Sequence, residues 1–143
     1  MKIKDVMTRD VMAVSPDTTV ADAATQMKAL DVGPLPVCDG ERLMGMLTDR
    51  DLTTRVTAAG QDPHTATVRD AMTTEVIYCF EDQDVQEAAE MMKTHKIRRL
   101  LVLNREQRLV GIVSLGDLAV KTGEEKTPAE ALTEVSEPAH PQR

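Results

Sequence analysis

A chain of 143 residues suffices for one ordinary domain or two packed halves. With 41% hydrophobic residues but one Phe, one Tyr and no Trp, its core must be aliphatic, built from Val, Leu, Ile, Ala and nine Met. So few rings exclude extended base stacking, and a formal charge of -7 with a pI near 4.9 argues against nucleic acid or an anionic membrane surface as a partner.

No stretch approaches the roughly 20 apolar residues of a membrane span, and "MKIKDVMTRD" lacks the apolar centre of a signal peptide, so a cytoplasmic location is expected. Along the chain, "VMAV" (11–14) reads as a short extended run, and Pro16, Asp17 and Thr18 announce a helix. Val20, Ala23, Ala24, Met27 and Leu30 recur with helical period and mark its apolar face, until Gly33 and Pro34 stop it. "LPVC" and "LMGMLT" then read as strands around the turn "DGER", and "DRDLTTRVTAA" as a closing helix.

After the polar stretch "AAGQDPHTAT" the order repeats. "VIYCF" is a strand, "DVQEAAEMMKTHK" a helix with Val85, Ala88, Ala89 and Met92 on its apolar face, "RLLVL" and "RLVGIV" strands around "NREQ", and "LGDLAVKT" a helix. From Glu124 onward the chain holds five Glu against Lys126 and Arg143, a composition that predicts disorder, with "PAEALTEV" able to form a short helix on a partner.

Shifting the sequence by 65 positions superimposes Asp5 on Asp70, Met7 on Met72, Thr8 on Thr73, Val20 on Val85, Met27 on Met92 and Leu35 on Leu100. One inserted residue after Arg105 then aligns Gly45 with Gly111 and Asp51 with Asp117, so the chain is an internal duplication. The organisation expected is a first repeat over 1–58, a linker over 59–67, a second repeat over 68–121 and an acidic tail over 122–143. Each repeat reads as strand, helix, strand, strand, helix: an α+β fold of two βαββα units packed around a pseudo-two-fold axis.

The duplicated stretches "GMLTDRDL" and "GIVSLGDL" end a strand and open a helix. Thr48-x-x-Asp51 and Ser114-x-x-Asp117 have capping-box spacing, in which the hydroxyl accepts a first-turn N–H and the acid accepts the N–H of the cap residue. The same geometry leaves N–H groups free for a phosphate and an acid placed to accept from paired ribose hydroxyls. Both readings stand at this point.

Cys38 and Cys79 lie in apolar runs without metal-ligand spacing, and a site made from them with His64 and His95 would need four scattered ligands, so no metal is expected. Neither histidine has a nucleophile partner in a recognisable motif, and no catalytic residues are assigned; the chain is not read as an enzyme.

The ordered set "MTRDVMAV", "VGPLPV" and "GMLTDRDL", echoed by "MTTEVIYC", "IRRLLV" and "GIVSLGDL", closely resembles a pair of CBS domains, named after cystathionine β-synthase. That resemblance implies two clefts between the repeats that take an adenine nucleotide (AMP, ADP or ATP), with NAD or S-adenosylmethionine as further adenosyl ligands. Asp51 and Asp117 would hold ribose. Thr8, Thr48, Arg50, Thr73, Arg98, Arg99 and Ser114 would lie near ribose or phosphate, and Val11, Met12, Ala13, Val37, Val76, Ile77, Tyr78 and Val102 would surround the adenine. A homodimer acting on an unidentified target protein is the expected assembly, and a nucleotide-independent dimeric interaction module is the alternative.

Overall fold

The computed structural model describes residues 1–122, so the acidic tail and "PAEALTEV" lie outside the described residues. The chain divides into two compact units. Met12–Val76 form a unit that is central in the sequence, and Met1–Val11 join the described chain from Ile77 to Thr122 in a unit that flanks it in sequence.

In the central unit, α1 (Val20–Leu30) starts where Thr19 accepts the Asp22 N–H at 3.2 Å and stops where Asp31 turns left-handed, φ 54°. It therefore ends before Gly33 and Pro34. Val20, Ala23 and Met27 are buried, whereas Leu30 is exposed, so the apolar face is one turn shorter than its periodicity implied. β1 (Pro34–Asp39) and β2 (Arg42–Thr48) form an antiparallel hairpin through Gly40, whose positive φ of 64° suits a residue without Cβ.

The expected strand over 11–14 is a correction. Only Val14 pairs there, through one parallel bridge to Val37, just after the chain passes from one unit to the other between Val11 and Met12. The helix expected from Asp49 onward is also modified. A single turn, α2 (Asp49–Asp51), leads into a π-helical segment, Leu52–Thr57, in which the Ala58 N–H reaches back to the Thr53 carbonyl at 2.9 Å.

Its cause is local. The Thr53 and Thr54 hydroxyls donate to the Asp49 and Arg50 carbonyls at 3.1 and 2.9 Å, competing with the N–H groups that would bond them in an α-helix. The corresponding residues of the second repeat are Ala119 and Val120, and that segment is a regular helix, α5 (Leu115–Thr122). A short helix, α3 (Val68–Ala71), completes the central unit and buries Val68 and Ala71.

The flanking unit follows the same plan. β3 (Tyr78–Phe80), shorter than the expected "VIYCF", lies parallel to β4 (Arg99–Leu103), which is antiparallel to β5 (Leu109–Ser114). Between β3 and β4, α4 (Val85–His95) is capped by Asp84 and ends at left-handed Lys96, with Val85, Ala88, Ala89 and Met92 all buried as its pattern predicted. The N-terminal 3-10 turn Ile3–Asp5 inserts Ile3 into this core beside Val6 and Met7.

Each unit is thus assembled from both sequence copies, and the stitching is the same twice. The Ile3 N–H donates to the Gln83 carbonyl at 2.9 Å and the Val68 N–H to the Thr18 carbonyl at 2.8 Å; Val85 N–H meets the Met1 carbonyl at 3.0 Å and Val20 N–H the Ala66 carbonyl at 2.9 Å. Two aliphatic cores result, one per unit. One gathers Val14, Val20, Leu35, Val37, Leu47 and Val68, and the other Ile3, Val85, Met92, Leu100, Val102 and Val113.

Candidate functional site

At the end of β2 the Thr48 hydroxyl accepts the Asp51 N–H at 3.1 Å, and Asp51 Oδ2 accepts the Thr48 N–H at 3.0 Å. The capping box is therefore formed, and it fixes the orientation of a buried carboxylate, Asp51 being 9% exposed. Ser114 and Asp117 repeat it at 3.1 and 3.0 Å at the end of β5.

A residue of the other sequence copy comes to each bracket. Thr73 pairs with Met46 through two backbone hydrogen bonds of 2.8 Å, and its hydroxyl donates to Asp51 Oδ1 at 3.4 Å. Thr8 pairs in the same way with Ile112, at 2.8 and 2.9 Å, two residues before Ser114. This approach needs glycine at the facing strand position. A Cβ on Gly45 would stand 2.5 Å from the Thr73 carbonyl oxygen, and one on Gly111 would stand 2.7 Å from that of Thr8.

The charges beside the two brackets differ. In β4 and β5, Arg99 pairs with Ser114, and the Arg98 carbonyl accepts the Leu115 N–H at 3.0 Å. The corresponding places in the central unit belong to Pro34, paired with Thr48, and to Gly33, whose carbonyl accepts the Asp49 N–H at 3.0 Å. Both Arg98 and Arg99 are exposed, as is Arg50 at the start of α2.

Of the residues assigned to adenine, Met12 and Ile77 are exposed and occupy matching positions at the two unit boundaries; Val11, Ala13, Val76 and Tyr78 are half-buried. The Tyr78 ring meets Phe80 edge to face at 5.6 Å. Val37 and Val102 have no exposed surface and belong to the cores of their own units.

Arg55 was not singled out from the sequence, although the Asp51–Arg55 spacing of four is a readable charge pair. Its Nε lies 3.9 Å from Asp51 Oδ1, and its guanidinium donates to the carbonyls of Met72 at 2.8 Å and Ala71 at 3.3 Å. Both cysteines are buried, and desolvation pushes both thiols up, that of Cys79 to about 12. Among the described residues no three His, Cys, Asp or Glu side chains gather as metal ligands, and no helix is long and apolar enough to cross a membrane.

The CBS domain-containing protein YhcV of Bacillus subtilis (strain 168) is 42% identical over 94% of this chain and 94% of its own length. A crystal structure of hypoxic response protein I with two coordinated zinc ions is 39% identical, covers 83% of this chain and 97% of that one, and superimposes with a TM-score of 0.73. The crystal structure of CBSX2 in complex with AMP is 27% identical, covers 87% and 98% of the two chains, and gives a TM-score of 0.72. The family model for the CBS domain matches twice, over residues 3–58 and 68–121, and the chain belongs to the CBS domain family as a tandem pair.

Proposed function

We propose that this protein is a non-catalytic regulatory module that binds an adenosyl ligand at the two acid and hydroxyl brackets. The observation that carries the reading is the assembly around Asp51: an oriented, buried carboxylate with Thr48 from its own repeat and Thr73 from the other. An ionised carboxylate has about four lone-pair sites, so the two protein donors leave room for the vicinal hydroxyls of a ribose. The AMP complex of CBSX2 supports adenosine monophosphate as the first ligand to test.

In this reading Asp51 and Asp117 hold the ribose, while Thr8, Thr48, Thr73 and Ser114 contact ribose or phosphate. Met12, Ala13 and Val76 in the central unit, and Val11, Ile77 and Tyr78 in the flanking unit, meet the adenine. Arg50 serves phosphate in the central unit. Arg98 and Arg99, beside Ser114, suit a longer phosphate chain, because a guanidinium grips phosphate through two parallel hydrogen bonds. The protein works as a cytoplasmic homodimer whose geometry or contact with a target protein responds to occupancy, by whatever difference in affinity the ligand has for the two states.

A second reading has its own observation. Both capping boxes are fully formed, which explains the acids and hydroxyls as helix caps in a dimeric interaction module. Titration calorimetry of nucleotide-stripped protein with AMP, ADP, ATP, NAD and S-adenosylmethionine separates the two. Binding that falls in Asp51→Ala or Asp117→Ala supports the sensor, and a folded protein that binds none of the five supports the interaction module.

A further inference from the structure

We propose that Arg55 is a positioning residue for the ligand site of the central unit, an inference that rests on the reading of Asp51 and Thr73 as ligand contacts. The last carbonyls of a helix have no partners within it, and α3 ends at Ala71. The Arg55 guanidinium supplies the donors, reaching the Met72 carbonyl at 2.8 Å and the Ala71 carbonyl at 3.3 Å. Thr73 is the next residue. The same guanidinium faces Asp51 Oδ1, the oxygen that the Thr73 hydroxyl also addresses.

One side chain therefore ties the segment that carries Thr73 to the carboxylate that Thr73 must face. The π-helical turn brings it there. Thr53 and Thr54 lie in it just before Arg55, with their hydroxyls on the Asp49 and Arg50 carbonyls, and the second repeat, with Ala119, Val120 and Lys121 at the matching places, lacks both the hydroxyls and the guanidinium. Lysine is no equivalent. A single ammonium lacks the planar fork that addresses two carbonyls and a carboxylate at once.

The test uses AMP as the probe, titrated calorimetrically into the full chain. In an Asp117→Ala background, where the central unit alone reports, Arg55→Met is expected to weaken AMP binding about tenfold, the scale of one charge-assisted hydrogen bond, and Arg55→Lys to recover only part of the loss. In an Asp51→Ala background, where the flanking unit reports, Arg55→Met is expected to leave affinity unchanged. Amide hydrogen exchange supplies a readout independent of ligand: the Thr73 and Met46 N–H groups should exchange faster in Arg55→Met, with those of Thr8 and Ile112 unaltered.

Unchanged AMP affinity at the central unit, or equal losses at both units, would overturn the proposal. Absence of AMP binding in the Asp117→Ala parent would instead sink the reading of the central unit as a ligand site, and the exchange measurement would still decide whether Arg55 holds Thr73 in place.

Discussion

The Thr73 hydroxyl donates to Asp51 Oδ1 at 3.4 Å, so the acid of the first sequence copy is completed by a residue of the second. The bond is long and Thr73 is half-buried, so it contributes little to stability. Its weight falls on binding. Thr73→Val keeps the side-chain shape and removes the donor, and it is expected to weaken AMP binding at the central unit about tenfold while shifting the thermal midpoint by no more than about 2 °C. Loss of stability without loss of affinity would make Thr73 a structural residue.

Deleting the acids tests the caps themselves. Asp51→Ala and Asp117→Ala each remove the carboxylate half of a capping box and leave the hydroxyl half, at a cost of about 0.5–1.5 kcal/mol by denaturant unfolding. Asp51→Ala should be the more damaging, because Asp51 also accepts from Thr73 and faces Arg55, whereas the contact found for Asp117 among the described residues is its own cap. Equal losses would show that the extra contacts of Asp51 carry no stability.

Why some of this was legible and some was not follows from particular residues. Val85, Ala88, Ala89 and Met92 repeat with helical period, and α4, eleven residues long, forms where that pattern lies. The capping boxes were readable too, since they are defined by a spacing of three. The 3-10 turn at Ile3–Asp5 and α3 have at most four residues each, too short to show a period, and packing of Ile3 and Val68 into the two cores holds them in place. Nor could alignment of the copies show that Thr73 joins Asp51. It puts them in different repeats, and the pairing arises only because the leading segment of each copy folds onto the other.

The two strand glycines make that exchange possible. A methyl group on Gly45 would meet the Thr73 carbonyl oxygen at 2.5 Å, and one on Gly111 the Thr8 carbonyl oxygen and Met7 sulfur at 2.7 Å. A methionine can turn aside, but a paired backbone carbonyl cannot. Gly45→Ala and Gly111→Ala are each expected to cost about 1–3 kcal/mol or more by urea unfolding. Gly116→Ala is the control. Gly116 lies in α5 with its nearest atom at an ordinary 3.6 Å, so alanine should be neutral or stabilise by up to about 1 kcal/mol.

The π-helical turn is tested by giving it the residues of its counterpart. Thr53→Ala combined with Thr54→Val removes the hydroxyls that occupy the Asp49 and Arg50 carbonyls. Those carbonyls should then accept α-helical N–H groups, visible in the crystal structure of the variant as a regular helix from Asp49 onward. Persistence of the wide turn would show that tertiary packing around Val56, not the threonines, imposes it.

Alkali provides a test of the flanking core. Cys79 is buried there, donates from Sγ to the Leu101 carbonyl at 3.7 Å, and desolvation pushes its thiol from an ordinary value near 9.0 up to about 12. A thiol whose folded value is raised keeps its proton while the unfolded chain loses it, so the folded state binds more protons between those limits. Stability from this group is therefore full below pH 9 and falls as pH rises toward 12, at most by about 1.4 kcal/mol per pH unit for one proton. Other groups titrate in the same range, so the quantity to measure is the difference in slope between the parent and Cys79→Ala, from urea unfolding at several pH values between 8 and 11 on the pH scale set by those limits. A shallower decline in Cys79→Ala, together with a native Cys79 that resists thiol reagents at pH 8, is the expected outcome. Parallel slopes, or rapid labelling of the folded protein, would place this thiol in contact with water.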